Sequence, residues 1–403
     1  MLNLSDIAVN SGNKRNDKLV DTMSNINPFR PGSGIFPPYF AGREREINIF
    51  KDKLEQTISG TPMHMSIIGD WASGKTSLLI KFREIAEKEG LFCPISLAPQ
   101  TSSSAVFVGT LINNILNEVK KRHTSTYNKI LDGLKNIRSV QAFGFGVSSK
   151  ELEKTVQTPQ YDLKITLNDV WSSIKDKYKG ILILIDDIDT VKNEKEIMLT
   201  FRNALMEAIM DKTKVMCVVS GTEKLFEGFE KAHAPLIRFF EPFILGNLND
   251  KESEEAILIP LKNSNVTFNK QVTEKIIKTT RGQPYYLQEF CYHLFNNAVD
   301  GKVTMNVYNA SYSNIMHDIA TKIWNQRIQQ LGDINTKILF LIATENNEAS
   351  RIVREAEKQF NIPVGTVRSA LSRMQRENKI DKTRRGVYTI KDNLFGEYIR
   401  GLF

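Results

Sequence analysis

Cysteine is scarce in this chain. Cys93, Cys217 and Cys291 are the only three in 403 residues. They are far apart, odd in number and set among apolar neighbours, so they read as buried reduced thiols; neither a disulfide framework nor a zinc site is indicated. Long apolar runs are missing too: no stretch approaches the roughly 20 residues a membrane helix needs. The first residues mix Asn, Ser, Asp and Lys with isolated apolar side chains, without the apolar block of a secretion signal. A cytoplasmic protein with no membrane partner is expected. What remains is an ordinary composition, 41% apolar and 25% charged, in a chain long enough for two or three domains. The net charge of +8 is uneven, because residues 351–403 carry 12 Lys and Arg against 6 Asp and Glu. That excess of +6 points to a polyanion partner for the last domain.

The most informative stretch is Gly69-Asp70-Trp71-Ala72-Ser73-Gly74-Lys75-Thr76, followed by Ser77. An apolar strand candidate at residues 63–68 leads into it and a helix-forming run leads out. G-x-x-x-x-G-K-T in the context strand, turn, helix is a phosphate-binding P-loop. The glycines let the backbone curl into a nest of N–H groups at a helix N-terminus, which attracts anions. Lys75 is placed to reach the β- and γ-phosphates of a nucleoside triphosphate, and Thr76 to offer its hydroxyl to Mg²⁺.

Ile181-Leu182-Ile183-Leu184-Ile185-Asp186-Asp187-Ile188-Asp189 is the second signal. Five branched apolar residues in a row suit a strand buried on both faces of a parallel sheet, and ligands bind beyond the carboxyl ends of such strands. Asp186 is expected to hold Mg²⁺, directly or through water, and Asp187 to orient or deprotonate the attacking water. Asp189 is expected to cap the next helix. Residues 215–222 read as another buried strand with Ser220 and Thr222 at its tip, placed either to bond a γ-phosphate or to cap a helix. In Leu236-Ile237-Arg238-Phe239-Phe240, Arg238 is either a finger reaching a neighbouring subunit's phosphate, implying self-assembly, or a surface ion-pairing residue.

Elsewhere the pattern predicts a helix opening at residues 41–46, a helix over 75–89, a strand at 91–97 and a helix over 105–121. Further helices are expected over 170–179 and 223–232, with a strand at 243–245. Residues 140–147 are either a glycine-broken hairpin or a loop. From residue 250 onward the chain reads as helices (252–261, 269–280, 285–298, 315–330). The last segment predicts two helices, the turn Asn361-Ile362-Pro363-Val364-Gly365, a third helix over 366–378 with Val367, Leu371 and Met374 inward, two short strands around a basic turn, and a final helix. This is the order of a winged helix-turn-helix. Thr366, Arg368, Ser369, Arg373 and Arg376 on the third helix, with Lys382, Arg384 and Arg385 on the wing, suit phosphates and base edges of double-stranded DNA. The competing use of such a domain is protein docking.

With these segments in this order, the chain resembles the AAA+/STAND-type P-loop ATPases, and within them the origin-recognition-like initiators. The resemblance implies an α/β P-loop NTPase core with helices on both faces of a parallel sheet, then a helical lid and a winged helix. It divides the chain into a mobile arm (1–26), the core (27–247), the lid (248–331) and the winged domain (332–403). It implies ATP or ADP with Mg²⁺ as cofactors, Tyr39, Phe40 and Arg43 lining an adenine pocket, and Pro284 of the Gly282-Gln283-Pro284 turn closing over the nucleotide. It implies ATP hydrolysis and nucleotide-controlled DNA binding, with a slowly cycling switch that docks a protein partner as the alternative. The lid departs from the initiator pattern, since Arg281 precedes the turn where those proteins often place an arginine sensor later.

Overall fold

The computed structural model describes residues 26–32, 37–133, 158–223, 234–344, 347–377 and 379–403; the segments 140–147 and 224–232 lie outside them. The chain forms two compact units, one containing Gly32–Leu248 and the other Asn249–Phe403 together with residues 26–31.

The first unit is built on the apolar run Ile181–Asp186, here strand β3, every residue of which is buried. It lies in a five-stranded sheet with β1 (His64–Ile68), β2 (Ile95–Leu97), β4 (Val215–Gly221) and β5 (Phe240–Ile244). The order is β2-β3-β4-β1-β5, and every pairing is parallel. A parallel sheet needs both faces covered, and the two-residue period of the strands supplies two apolar faces. Ile181, Ile183, Ile185, Val215, Cys217 and Val219 pack against α3 (Ser104–Arg122), α5 (Pro159–Ile174) and α6 (Glu194–Met210). Leu182, Leu184, Met216 and Val218 face the other way, onto Phe50 and Leu54 of α1 (Glu44–Ser59) and Leu78, Leu79 and Phe82 of α2 (Lys75–Lys88). Phe50 and Phe82 stack with ring centres 3.9 Å apart.

Several expected elements shift. The second strand is confined to Ile95–Leu97, because Pro94 lacks an amide hydrogen; Phe92 makes only an isolated bridge to Ile181. The short helix α4 (Thr124–Gly133) follows α3. The helix expected over 170–179 is α5, which starts at Pro159, a favoured first helical residue, and ends at Ile174. The strand expected at 243–245 begins at Phe240, directly after the short helix α7 (Ala234–Phe239).

The second unit contains α8 (Asp250–Leu261), α9 (Lys270–Thr280), α10 (Pro284–Asn296), α11 (Met305–Ile319) and α12 (Asn325–Leu331), with β6 (Thr267–Phe268) paired to β7 (Lys302–Val303). A capping box of Asn249 and Glu252 starts α8. The helix expected over 315–330 is α11 and α12 joined by a π-helical turn, Ala320–Trp324. Residues 26–31 pack on this unit: Asn27 donates to the Tyr292 carbonyl and to Asn296, each at 2.8 Å, and Phe29 is buried against Phe268 and Phe295.

The unit continues with α13 (Asp333–Ala343), α14 (Ala349–Phe360), α15 (Val364–Arg376), the antiparallel hairpin β8 (Ile380–Arg384) and β9 (Val387–Ile390), and α16 (Asn393–Arg400). Val367, Ala370, Leu371 and Met374 bury one face of α15. Ile334, in the first turn of α13, is 43% exposed.

Truncating a β3 residue removes packing from α1 and α2 together. Leu184→Ala is therefore expected to lower unfolding stability by roughly 2–5 kcal/mol, measured by urea denaturation of the whole chain.

Candidate functional site

The loop between β1 and α2 is fixed at its β1 end by backbone from both neighbouring strands. The Gly69 amide donates to the Gly221 carbonyl (3.1 Å), and the Leu245 amide donates to the Ile68 carbonyl (2.7 Å). A side chain at Gly69 has no room, since a Cβ there would lie 2.7 Å from Ser73 Oγ and 3.0 Å from the Leu245 carbonyl oxygen. Ala72 and Gly74 both take positive φ, 64° and 91°, which turns the chain into the concave path that cradles anions. Gly74 begins α2 without a side-chain cap, so the first amides of that helix are left for a ligand. Ser73 is 3% exposed and its hydroxyl has no protein partner. Lys75 is also buried, and its ammonium donates to the Gly69 and Asp70 carbonyls at 3.1 Å each. Asp70 and Trp71 are exposed at the tip.

Two strands of the sheet and the first turn of α2 meet at one carboxylate. Asp186, at the end of β3, is 1% exposed. Its Oδ2 accepts the Thr76 hydroxyl at 2.6 Å. Its Oδ1 accepts the Ser220 hydroxyl from β4 and the Asp187 amide at 3.1 Å. Strand β4 lies between β1 and β3, so the Thr76 side chain spans the gap between P-loop and acid, while Ser220 on the intervening strand braces Asp186. Ser77 continues α2 one residue beyond Thr76.

Asp187 adopts the left-handed conformation (φ 52°) and is exposed. Its amide also lies 3.2 Å from Ser220 Oγ. Loss of hydration raises its carboxyl above the ordinary range; Asp186 adds to the rise, Lys75 opposes it and Asp189 adds again. Asp189 is not a helix cap. It accepts the Thr222 amide at 3.1 Å and the Thr222 hydroxyl, tying the tip of β3 to that of β4, while α6 starts at Asn193. This tether was missed because carboxylate and hydroxyl are 33 residues apart; that both stand at the ends of buried strands was the available signal.

The remaining expected residues are dispersed. Phe40 packs against the core beneath α1 and α2, and Tyr39 is half-buried. Arg43 is buried and donates to the Ser73 carbonyl (3.2 Å) and the Gly246 carbonyl (2.7 Å). Arg238 is exposed on α7. Pro284 begins α10 in the second unit, after Arg281 and Gly282 with positive φ. Arg368, Ser369, Arg373, Arg376, Lys382, Arg384 and Arg385 are exposed on α15 and the hairpin, with Thr366 half-buried. The Arg373 guanidinium reaches Asn335 at 2.8 Å.

Residues 43–230 match the KAP family P-loop domain. The match covers less than half of the chain, and the fold of this part is that of a P-loop NTPase. No curated protein matches it. Among solved structures it is similar to the Aeropyrum pernix ORC2 protein in ADPNP–ADP complexes, with TM-score 0.61 and 13% identity over 92% of this chain and 95% of that one. It is also similar to a Walker-type ATPase of Pyrococcus abyssi, with TM-score 0.59 and 17% identity over 90% of this chain and 96% of that one. At these identities the likeness is one of fold. Among the described residues no helix is long and apolar enough to cross a membrane.

The raised Asp187 carboxyl makes a signed prediction. An acid whose folded pKa exceeds its unfolded value stabilises the fold below the unfolded value and loses that contribution as pH rises through the folded one. Asp187→Asn is thus expected to raise the melting temperature of the nucleotide-free protein at pH 7, with the gain shrinking as pH falls toward 4. A difference that is independent of pH would show that the gain comes from the backbone preference of Asn alone.

Proposed function

We propose that this protein is an ATPase that binds ATP and Mg²⁺ at Gly69–Thr76, and that its nucleotide state controls binding of duplex DNA through a winged helix formed by residues 332–403. The observation that carries the nucleotide half is the Thr76–Asp186–Ser220 hydrogen-bond chain. It brings a hydroxyl and a carboxylate, both hard oxygen donors, together at the mouth of the P-loop. Mg²⁺ takes one or two protein oxygens and completes its shell with water and phosphate, so the pair suits it. When bound, the ion neutralises charge on the phosphate oxygens.

In this reading Lys75 releases the Gly69 and Asp70 carbonyls to hold the terminal phosphates, and the orphaned Ser73 hydroxyl gains a partner. Asp187 orients the attacking water or takes its proton; its raised carboxyl makes it a better proton acceptor than an ordinary aspartate. Ser220 holds Asp186 in place. Arg238, exposed on α7, is free of core packing and available to a neighbouring subunit.

The DNA half rests on α15 and the hairpin, where seven of the eight expected contact residues are exposed. Arg281 and Tyr286, either side of the turn that starts α10, hold the N-terminus of α16: Arg281 donates to Asn393 (3.2 Å) and Tyr286 to Asp392 (2.8 Å). Arg327 and Trp324 complete this knot, Arg327 by pairing with Asp392 at 2.9 Å and Trp324 by donating to the Tyr286 hydroxyl. A movement of the turn would therefore be carried into the tail. A switch that docks a protein partner is the second reading.

Lys75→Ala is expected to abolish ATP binding in titration calorimetry; unchanged affinity would overturn the P-loop assignment. Duplex DNA binding is expected to weaken steeply with salt and to fall in Arg373→Ala/Arg385→Ala. Absence of DNA binding at low salt, with and without ATP, would leave the protein-docking reading.

A further inference from the structure

Arg43 opens α1 in a conformation that side-chain-bearing residues rarely adopt. Gly42 and Arg43 both have positive φ, 64° and 66°, and the Arg43 carbonyl accepts the Ile47 amide at 2.9 Å to start the helix. The side chain is buried, with the Glu46 carboxylate 3.6 Å from one guanidinium nitrogen. The other nitrogen donates to two backbone carbonyls from distant parts of the chain. One belongs to Ser73, between the two P-loop residues of positive φ. The other belongs to Gly246, next to Leu245, whose amide donates to the Ile68 carbonyl from the β5 side.

One buried guanidinium nitrogen shared between two carbonyls holds both in place, and the planar fork of that nitrogen's two N–H bonds fixes directions as well as charge. The Ser73 carbonyl shares a trans peptide with the Gly74 amide, so turning that carbonyl back to Arg43 turns the amide the opposite way, toward the concave side of the loop where an anion would lie. We infer that Arg43 is a positioning residue that holds the P-loop backbone in its phosphate-receiving shape, and does not act by contacting the base. This rests on the nucleotide reading above. It differs from the adenine-pocket role that the family resemblance implies.

The test compares ligands with and without a base. Arg43→Lys keeps the charge and the apolar stem but loses the fork, so the fold is expected to survive where Arg43→Ala fails; melting temperature is recorded for both. Binding of ATP and of inorganic tripolyphosphate by wild type and R43K is measured by titration calorimetry, with hydrogen exchange of the amides of residues 70–75 in the ligand-free proteins. The expected result is a loss of about tenfold or more, equal for ATP and tripolyphosphate, and faster exchange in R43K. Loss of ATP affinity with tripolyphosphate affinity and exchange unchanged would overturn the inference and return Arg43 to the base. Wild-type protein that binds neither ligand would overturn the nucleotide reading itself.

Discussion

Everything at the candidate site turns on one buried carboxylate and the topology that makes it reachable. Because β4 separates β1 from β3, the P-loop and Asp186 leave the sheet two strands apart. The Thr76 hydroxyl closes that distance and the Ser220 hydroxyl, on the intervening strand, braces the acid, each donating to a different oxygen of Asp186. A carboxylate so buried is costly to leave unpaired. The same three donors that satisfy it also fix its orientation, so structural need and proposed ion binding are met by one arrangement.

A second layer holds the backbone around it. The Gly69 and Leu245 amides, the absent Cβ at Gly69 and the Arg43 guanidinium fix the P-loop from three directions. Asp189 and Thr222 join the tips of β3 and β4 just beyond Asp186. The loop shape is thus imposed largely by groups outside the motif. This is consistent with a site whose ligand finds its amides already arranged, which lowers the ordering cost of binding.

Much of this was legible in the sequence, for local reasons. The P-loop combines a required residue spacing with required flanks, and β3 is an unbroken apolar run ending in acids. The helices of the tail were legible because one face of each repeats at helical spacing, and Val367, Leu371 and Met374 are buried on α15 as that spacing requires. What was not legible depends on partners far apart in the chain. Arg43 meets Gly246 203 residues away and Tyr286 meets Asp392 106 residues away; nothing near either end of these pairs announces the other. The start of α5 was missed because residues 159–169 carry polar side chains among their apolar ones, and the apolar face emerges only against α3 and α6.

The central claim is that the nucleotide at the P-loop sets the affinity of the tail for DNA. Linkage makes this a two-way statement: whatever factor ATP applies to DNA affinity, DNA must apply to ATP affinity. The most direct measurement is duplex DNA affinity of the full chain at one low salt concentration, taken nucleotide-free, with ATP–Mg²⁺ and with ADP, alongside ATP affinity with and without saturating DNA. The account predicts different DNA affinities in the three states and an equal, reciprocal change in ATP affinity. Identical DNA affinity in all three states, with nucleotide demonstrably bound, would contradict it.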